Sequence, residues 1–146
     1  MKNTVPEIKV SYKSEIIDAR VLSGTIATYQ FLLNLYDIET IELKEEAFCL
    51  YLNRGNRLLG WYKLSSGGIH GTVIDIKLVL GIALKSASTM IILSHNHPSG
   101  RLIPSTQDKE ITFKLRQAAS LMDICLVDHM IVHPSGYFSF AEEGLL

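Results

Sequence analysis

The sequence predicts an α/β protein with a mixed central sheet flanked by helices. Short runs of strand-type residues alternate with segments in which apolar residues recur every three or four positions. One run, Met90–Leu93, is continuously apolar, which is typical of a strand buried on both faces. Strands that alternate with helices usually form a layered domain, and the length of 146 residues fits one such domain.

The N-terminal part of the chain carries two predicted elements. Residues 8–12 alternate between apolar and polar side chains, which favours a short edge strand. Residues 23–36 are expected to be helical, with four residues on the buried face: Ile26, Tyr29, Leu33 and Tyr36. We expect residues 1–40 to form an extension packed on a core domain at 41–146.

The middle of the chain predicts a β-hairpin followed by a helix. The apolar run 45–53, the turn Asn53–Asn56 and the segment Leu58–Tyr62 form the hairpin. A helix is expected over 75–87, where four apolar residues share one face: Ile76, Leu80, Leu84 and Ala87.

The C-terminal part begins with the clearest helical pattern. Residues 105–122 are expected to be helical, with four residues facing the core: Ile111, Leu115, Ala118 and Met122. Three further strands are predicted at 124–127, 130–133 and 137–140, and a Pro-Ser-Gly turn separates the last two.

Composition disfavours several classes of protein. The net charge is −1 and no basic run occurs, so there is no electrostatic footprint for nucleic acid. No apolar stretch has the length of a membrane-spanning helix, and no signal-peptide pattern is visible at the N-terminus. Cys49 and Cys125 lie in apolar runs and are expected to be buried, reduced thiols. A cytoplasmic location is therefore expected.

The segment after Met90–Leu93 has the residue types of a metal site. His95 and His97 are two residues apart, so in an extended strand they share a face, roughly 6.5–7 Å apart along the chain. Zinc accepts nitrogen and carboxylate ligands, and its catalytic sites use three protein ligands and a water. Asp108, at the start of the next predicted helix, is the candidate third ligand.

Each of these residues also has a purely structural interpretation. His95 and His97 can be ordinary turn histidines. Ser105 and Asp108 are spaced as a capping box, and an acid suits the positive end of a helix. Capping and metal binding can coexist for Ser105, but we expect them to compete for the Asp108 carboxylate.

A zinc hydrolase also needs a carboxylate base, and the chain offers Glu42, Glu45 and Glu46 before a strand. Their alternative interpretation is a solvated acidic face. Among the other histidines, His70 is expected in a surface loop, His129 as a hydrogen-bonded structural residue, and His133 in a turn.

The spacing HxH-x7-S-x2-D, from His95 to Asp108, resembles the motif of the JAMM (JAB1/MPN) metallopeptidase-type family. The sequence around it resembles the bacterial RadC subfamily over residues 41–146, in segments that include Leu93–Gly100, Leu126–His129 and Tyr137–Ala141. The resemblance implies an MPN/JAB-type, cytidine-deaminase-like αβα fold.

The resemblance also implies roles for individual residues. It implies Zn²⁺ held by His95, His97 and Asp108, and a serine, Ser105, that stabilises the oxyanion. The upstream glutamate is Glu45 when counted back from Asn53, whereas counting from Phe48 gives Glu46. These two point to opposite faces of a strand, and we prefer Glu45.

The function implied is a zinc-dependent hydrolase of peptide or isopeptide bonds, acting on a peptide or protein substrate. One alternative is a DNA-repair-associated accessory protein of the RadC type without peptidase activity, and another is a peptide-binding module. Longer RadC proteins carry an N-terminal helix-hairpin-helix region. Residues 1–40 are too few for that region, so a short form of the protein is expected.

Overall fold

The computed structural model of the chain describes residues 5–9, 11–13, 20–68 and 73–146. His70 lies outside these ranges. The helices are α1 (Thr25–Leu33), α2 (Ile76–Lys85) and α3 (Thr106–Ser120). The strands are β1 (Glu46–Leu52), β2 (Leu58–Ser66), β3 (Met90–His95), β4 (Cys125–His133) and β5 (Gly136–Ser139).

The strands form one five-stranded sheet in the order β2-β1-β3-β4-β5. Strands β3 and β4 pair in parallel, and the other neighbouring strands pair antiparallel, so the sheet is mixed as predicted. The predicted hairpin is confirmed at its turn. The side-chain oxygen of Asn53 accepts hydrogen bonds from the amides of Gly55 at 2.9 Å and Arg57 at 3.1 Å.

Helices cover both faces of the sheet, which gives the predicted αβα layering. Alternate residues of a strand point to opposite faces. Cys49 and Tyr51 of β1 therefore pack with α2 and α3 in one core cluster. Phe48 and Leu50 point the other way and pack with Leu32 of α1 in a second cluster. The face that carries α3 is the one on which the candidate site lies.

The predicted buried faces of the helices are partly wrong. In α1 the buried residues are Thr28 and Leu32, whereas Ile26 is exposed. In α2, Leu80 is buried as predicted, but Leu84 is exposed. The buried stripe of each helix is therefore displaced from the one that its apolar spacing predicts, and small or polar residues occupy part of it. The same holds for α3, in which Thr112, Leu115 and Ala119 are buried and Met122 beyond its end is exposed.

Three further sequence predictions differ from the structure. The two strands expected at 124–127 and 130–133 are the single strand β4. Asp128 does not break it, because its buried carboxylate accepts hydrogen bonds from Ser139 and from the amides of His129 and Ala141. The described residues of 8–12 are exposed and lie outside any strand. Cys125 is a free thiol but is exposed, whereas Cys49 is buried.

Within the described ranges, no helix is both long enough and apolar enough to cross a membrane.

Candidate metal centre

The end of β3 and the start of α3 bring together three side chains that could hold a metal ion. His95 is the last residue of β3 and is only 1% exposed, and His97 follows two residues later. Asp108 lies in the first turn of α3. The possible ligand atoms of these three residues lie within 4.8 Å of one another. The structure therefore groups the residues that the sequence nominated as ligands.

The distances within this group are short enough for the three side chains to reach one ion. The Nε2 atoms of His95 and His97 are 3.0 Å apart. Asp108 Oδ1 lies 3.2 Å from His95 Nε2, and Asp108 Oδ2 lies 3.3 Å from His97 Nε2. Ligands about 2.0–2.1 Å from a tetrahedral ion are about 3.3 Å from each other. The donor set of two imidazoles and one carboxylate also suits zinc.

Asp108 serves the helix cap and the candidate metal centre together. Ser105 Oγ accepts a hydrogen bond from the Asp108 amide at 3.1 Å, and Asp108 Oδ2 accepts one from the Ser105 amide at 2.7 Å. This is the predicted capping box. Oδ1 faces His95 and lies outside the cap, whereas Oδ2 both completes the cap and lies 3.3 Å from His97 Nε2. The expected competition between capping and metal binding for this carboxylate stays a prediction.

The charges of the group favour a cation at its centre. Burial raises the pKa of Asp108, but the adjacent His95 and His97 rings outweigh it and hold the pKa well below its usual range. The hydrogen bond with Asp108 is also the main reason why the pKa of His97 is raised. The backbone oxygen of Arg101 and the charge of Glu45 act in the same direction. A proton or a metal ion can supply the positive charge that these groups favour.

The far nitrogens of both histidines are held by hydrogen bonds. His97 Nδ1 lies 2.8 Å from the backbone oxygen of Arg101. His95 Nδ1 lies 2.8 Å from Nε2 of His129, whose Nδ1 lies 2.5 Å from Thr112 Oγ1. Such outer contacts orient ligand rings and fix which nitrogen is available to a metal.

His129 is hydrogen-bonded, as the sequence analysis expected. Its partner is His95, a candidate metal ligand. Its ring is fully buried and stacks on Phe140 with ring centroids 4.7 Å apart. Burial, followed by the neighbouring His95, lowers the pKa of His129 well below its usual value. The sequence does indicate that Thr112, the other partner of His129, lies near the candidate centre. Thr112 follows Asp108 by one helical turn and so shares its face of α3.

The pairing of β1 with β3 places Glu45 and Glu46 on different faces. Ala47 pairs with His95, so the two side chains share the face that carries α3. Glu45, two residues before Ala47, therefore lies on the face of His95 and His97. Glu46 points to the opposite face.

The surroundings of Glu46 are those of a buried ion pair. Its Oε1 lies 2.5 Å from Lys63 Nζ and 3.0 Å from Lys44 Nζ, and Ser66 donates to it at 3.1 Å. Burial raises the pKa of Glu46, but the hydrogen bonds from Lys63 and Lys44 outweigh it, so the pKa is lowered. A carboxylate held by two ammonium groups is a poor proton acceptor.

Asn96, between the two histidines, holds the segment that carries Glu45. Its side-chain oxygen accepts from the Glu46 amide at 2.8 Å. Its side-chain nitrogen donates to the backbone oxygens of Ile41 at 2.6 Å and Lys44 at 2.9 Å. The residues just after β3 therefore have different tasks: His97 lies with His95 in the candidate centre, whereas Asn96 holds the backbone that precedes β1, a contact that the sequence analysis did not identify.

Glu42 and His133 form a separate contact. His133 Nε2 lies 3.2 Å from Glu42 Oε1, and its Nδ1 lies 2.7 Å from Ser135 Oγ. Glu42 is therefore paired with His133, and the structure does not bring His133 into the group of candidate ligands.

Fold and site together define an α/β domain of the JAB type with a potential metal centre. The RadC-like JAB domain family matches residues 23–145, and the chain belongs to this family. The matched range includes α1.

Named relatives agree with this assignment. A UPF0758 protein of Porphyromonas gingivalis is 35% identical over 147 aligned residues, which cover 100% of this chain and 61% of the relative. A UPF0758 protein of Flavobacterium johnsoniae is 44% identical over 101 residues, 69% of this chain and 44% of the relative. The UPF0758 protein YeeS of Escherichia coli K12 is 42% identical over 115 residues, 79% of this chain and 75% of YeeS. The chain thus spans only about half the length of the first two of these relatives.

Proposed function

We propose that this domain is a zinc-dependent hydrolase of peptide or isopeptide bonds. The observation that carries the proposal is the group of His95, His97 and Asp108, whose possible ligand atoms lie within 4.8 Å of one another. Glu45 supports it, because this carboxylate lies on the same face as the histidines. Three ligands leave a fourth position for water, as in catalytic zinc sites.

In the proposed reaction Glu45 acts as general base and then as general acid. When bound, zinc polarises the substrate carbonyl and lowers the pKa of water to about 7. Glu45 accepts the proton of the attacking water and later transfers it to the leaving amine. Ser105 donates to the developing oxyanion. Its Oγ is only an acceptor in the helix cap, so the cap leaves the hydroxyl proton for this role.

The proposal includes a peptide or protein segment as the partner and the cytoplasm as the compartment. The two free cysteines suit a reducing compartment. A DNA-associated role is less well supported, because a net charge of −1 provides no surplus of cations for phosphates.

The test is hydrolysis of a peptide library by the zinc-loaded protein, with products identified by mass spectrometry. Wild type should cleave a subset of peptides, and Glu45→Gln should lose about 10²–10⁴-fold in rate, the usual contribution of a positioned base. Glu42→Gln is the matched control, because Glu42 contacts His133 instead of the candidate centre. Full activity of Glu45→Gln would contradict the proposed base. No cleavage by zinc-loaded wild type, together with salt-sensitive DNA binding, would favour the accessory role.

A further inference from the structure

We propose that His129 and Thr112 form a hydrogen-bonded relay that fixes the proton of His95 on Nδ1 and keeps the Nε2 lone pair directed at the candidate metal position. The role of this relay in metal binding rests on the proposed function. The direction of its hydrogen bonds does not, because it follows from the contacts within the chain. His129 and Thr112 are thus positioning residues, since they act through His95.

The direction of the relay begins with Thr112. Its Oγ1 lies 2.5 Å from the backbone oxygen of Asp108, one turn earlier in α3. A carbonyl oxygen only accepts hydrogen bonds, and two oxygens approach this closely only with a proton between them. The single hydroxyl proton of Thr112 is therefore directed at Asp108.

The position of that proton determines the next two hydrogen bonds. Because the Thr112 proton is already used, Thr112 Oγ1 must accept from His129 Nδ1, 2.5 Å away. A neutral imidazole with a proton on Nδ1 has its lone pair on Nε2. That lone pair faces His95 Nδ1 at 2.8 Å, so His95 donates from Nδ1.

The consequence for His95 is an unprotonated Nε2. This is the atom that lies 3.2 Å from Asp108 Oδ1 and 3.0 Å from His97 Nε2. The reverse order would put a proton on His95 Nε2, in the position that a metal requires. It would also leave the short Thr112–Asp108 contact without its proton.

The relay residues are buried, so each of them depends on the other two for its hydrogen bonds. His95, Thr112 and His129 are each no more than 1% exposed, so bulk water does not replace a missing partner. The stacking of His129 on Phe140 restricts the tilt of its ring. The relay also joins two of the three candidate ligands, because it starts at the Asp108 backbone and ends at the His95 ring.

The first experiment is NMR of ¹⁵N-histidine-labelled protein, which distinguishes the two neutral forms of imidazole by their nitrogen shifts. His95 and His129 should both carry their proton on Nδ1, in zinc-free and in zinc-loaded wild type. A neutral His95 or His129 protonated on Nε2 would overturn the proposal, and this result needs no variant.

The second experiment compares Thr112→Val with Thr112→Ser. Valine removes the hydroxyl with little change in shape, so zinc affinity, measured by competition with a chelator, should fall about 10–100-fold. Serine keeps the hydroxyl and should restore most of the affinity and the Nδ1 form of His95. Thr28→Val is the matched control, since Thr28 is also buried and donates to a backbone carbonyl four residues earlier, that of Gly24 at the start of α1. Wild-type affinity and an unchanged His95 signal in Thr112→Val would overturn the relay.

These readouts are independent of peptide hydrolysis. Zinc-loaded protein that cleaves no peptide, while His95 keeps its Nδ1 proton and Thr112→Val binds zinc weakly, would contradict the hydrolase and support the relay. Efficient cleavage with His95 protonated on Nε2 in the zinc-free protein would support the hydrolase and overturn the relay.

Discussion

The chain contains the same four letters, His-Pro-Ser-Gly, at the ends of two neighbouring parallel strands. His97–Gly100 follows β3, and His133–Gly136 begins at the last residue of β4. The two segments touch, because a Cβ on Gly100 would lie 3.2 Å from His133 Nε2. Yet His97 lies with His95 and Asp108, whereas His133 contacts Ser135 and Glu42.

The difference between the two segments lies outside the four letters. The residue two positions before His97 is His95, whereas the corresponding residue before His133 is the buried core residue Ile131. After His97 the chain continues into α3, which supplies Asp108, whereas after Gly136 it continues into β5. The function of such a tetrapeptide therefore depends on the residue that shares its strand face and on the element that follows.

The largest difference between the segments is expected in metal binding. His97→Ala removes one of three candidate ligands, so zinc should fall from near one ion per chain to almost none, measured by elemental analysis. His133→Ala should retain wild-type zinc, because His133 contacts Glu42 and Ser135. Equal zinc content in the two variants would show that the segments do not differ in this way.

A second difference is expected in stability, from the polar residue nearest each histidine. Asn96→Ala leaves the Glu46 amide and two carbonyls without their partner in a buried place. At about 1–3 kcal/mol for each unsatisfied group, the free energy of unfolding should fall by about 3 kcal/mol or more. Ser135→Ala alters an exposed turn and should change stability by no more than about 0.5 kcal/mol. Urea unfolding of the zinc-free proteins measures both, and similar midpoints would contradict the clamp assigned to Asn96.

The smallest effect is expected where the two segments touch. Gly100 has φ of +73°, so alanine there should cost about 1–2 kcal/mol of backbone strain, and its methyl group would also press on the His133 ring. Gly24→Ala is the matched control, since Gly24 has φ of +89° and nothing within 4 Å of the added Cβ. Thermal unfolding should show a larger loss for Gly100→Ala, and His133→Ala in the same chain should recover the excess. Equal losses at the two glycines would argue against contact between the segments.

The parts of the fold that depend on local pattern were predictable from the sequence. The apolar run that became β3 and the turn at Asn53 act over a few residues, and the mixed sheet follows from their alternation with helices. The buried helix faces were less predictable, because burial depends on which neighbour the helix meets. Ile26 and Leu84 fit an apolar stripe but are exposed.

In the candidate site, too, the features that depend on local spacing were predictable from the sequence and those that depend on distant neighbours were not. The spacing of His95, His97 and Asp108 is local enough to nominate them as ligands. The choice between Glu45 and Glu46 depends on the register of β1 against β3, which only the paired sheet determines. The contacts of Asn96 with Ile41 and of His129 with His95 join residues far apart in the chain, and no spacing rule predicts them.

The capping box at the start of α3 has a consequence for the apo and holo forms. Asp108 closes the first turn of the helix with one carboxylate oxygen and faces His95 with the other. Chelation of a bound ion would therefore withdraw a restraint from the helix terminus as well as from the centre. Amide hydrogen exchange would register it as faster exchange confined to the first turn of α3. The rest of that helix, held by Leu115 and Ala119 in the core, would exchange as before.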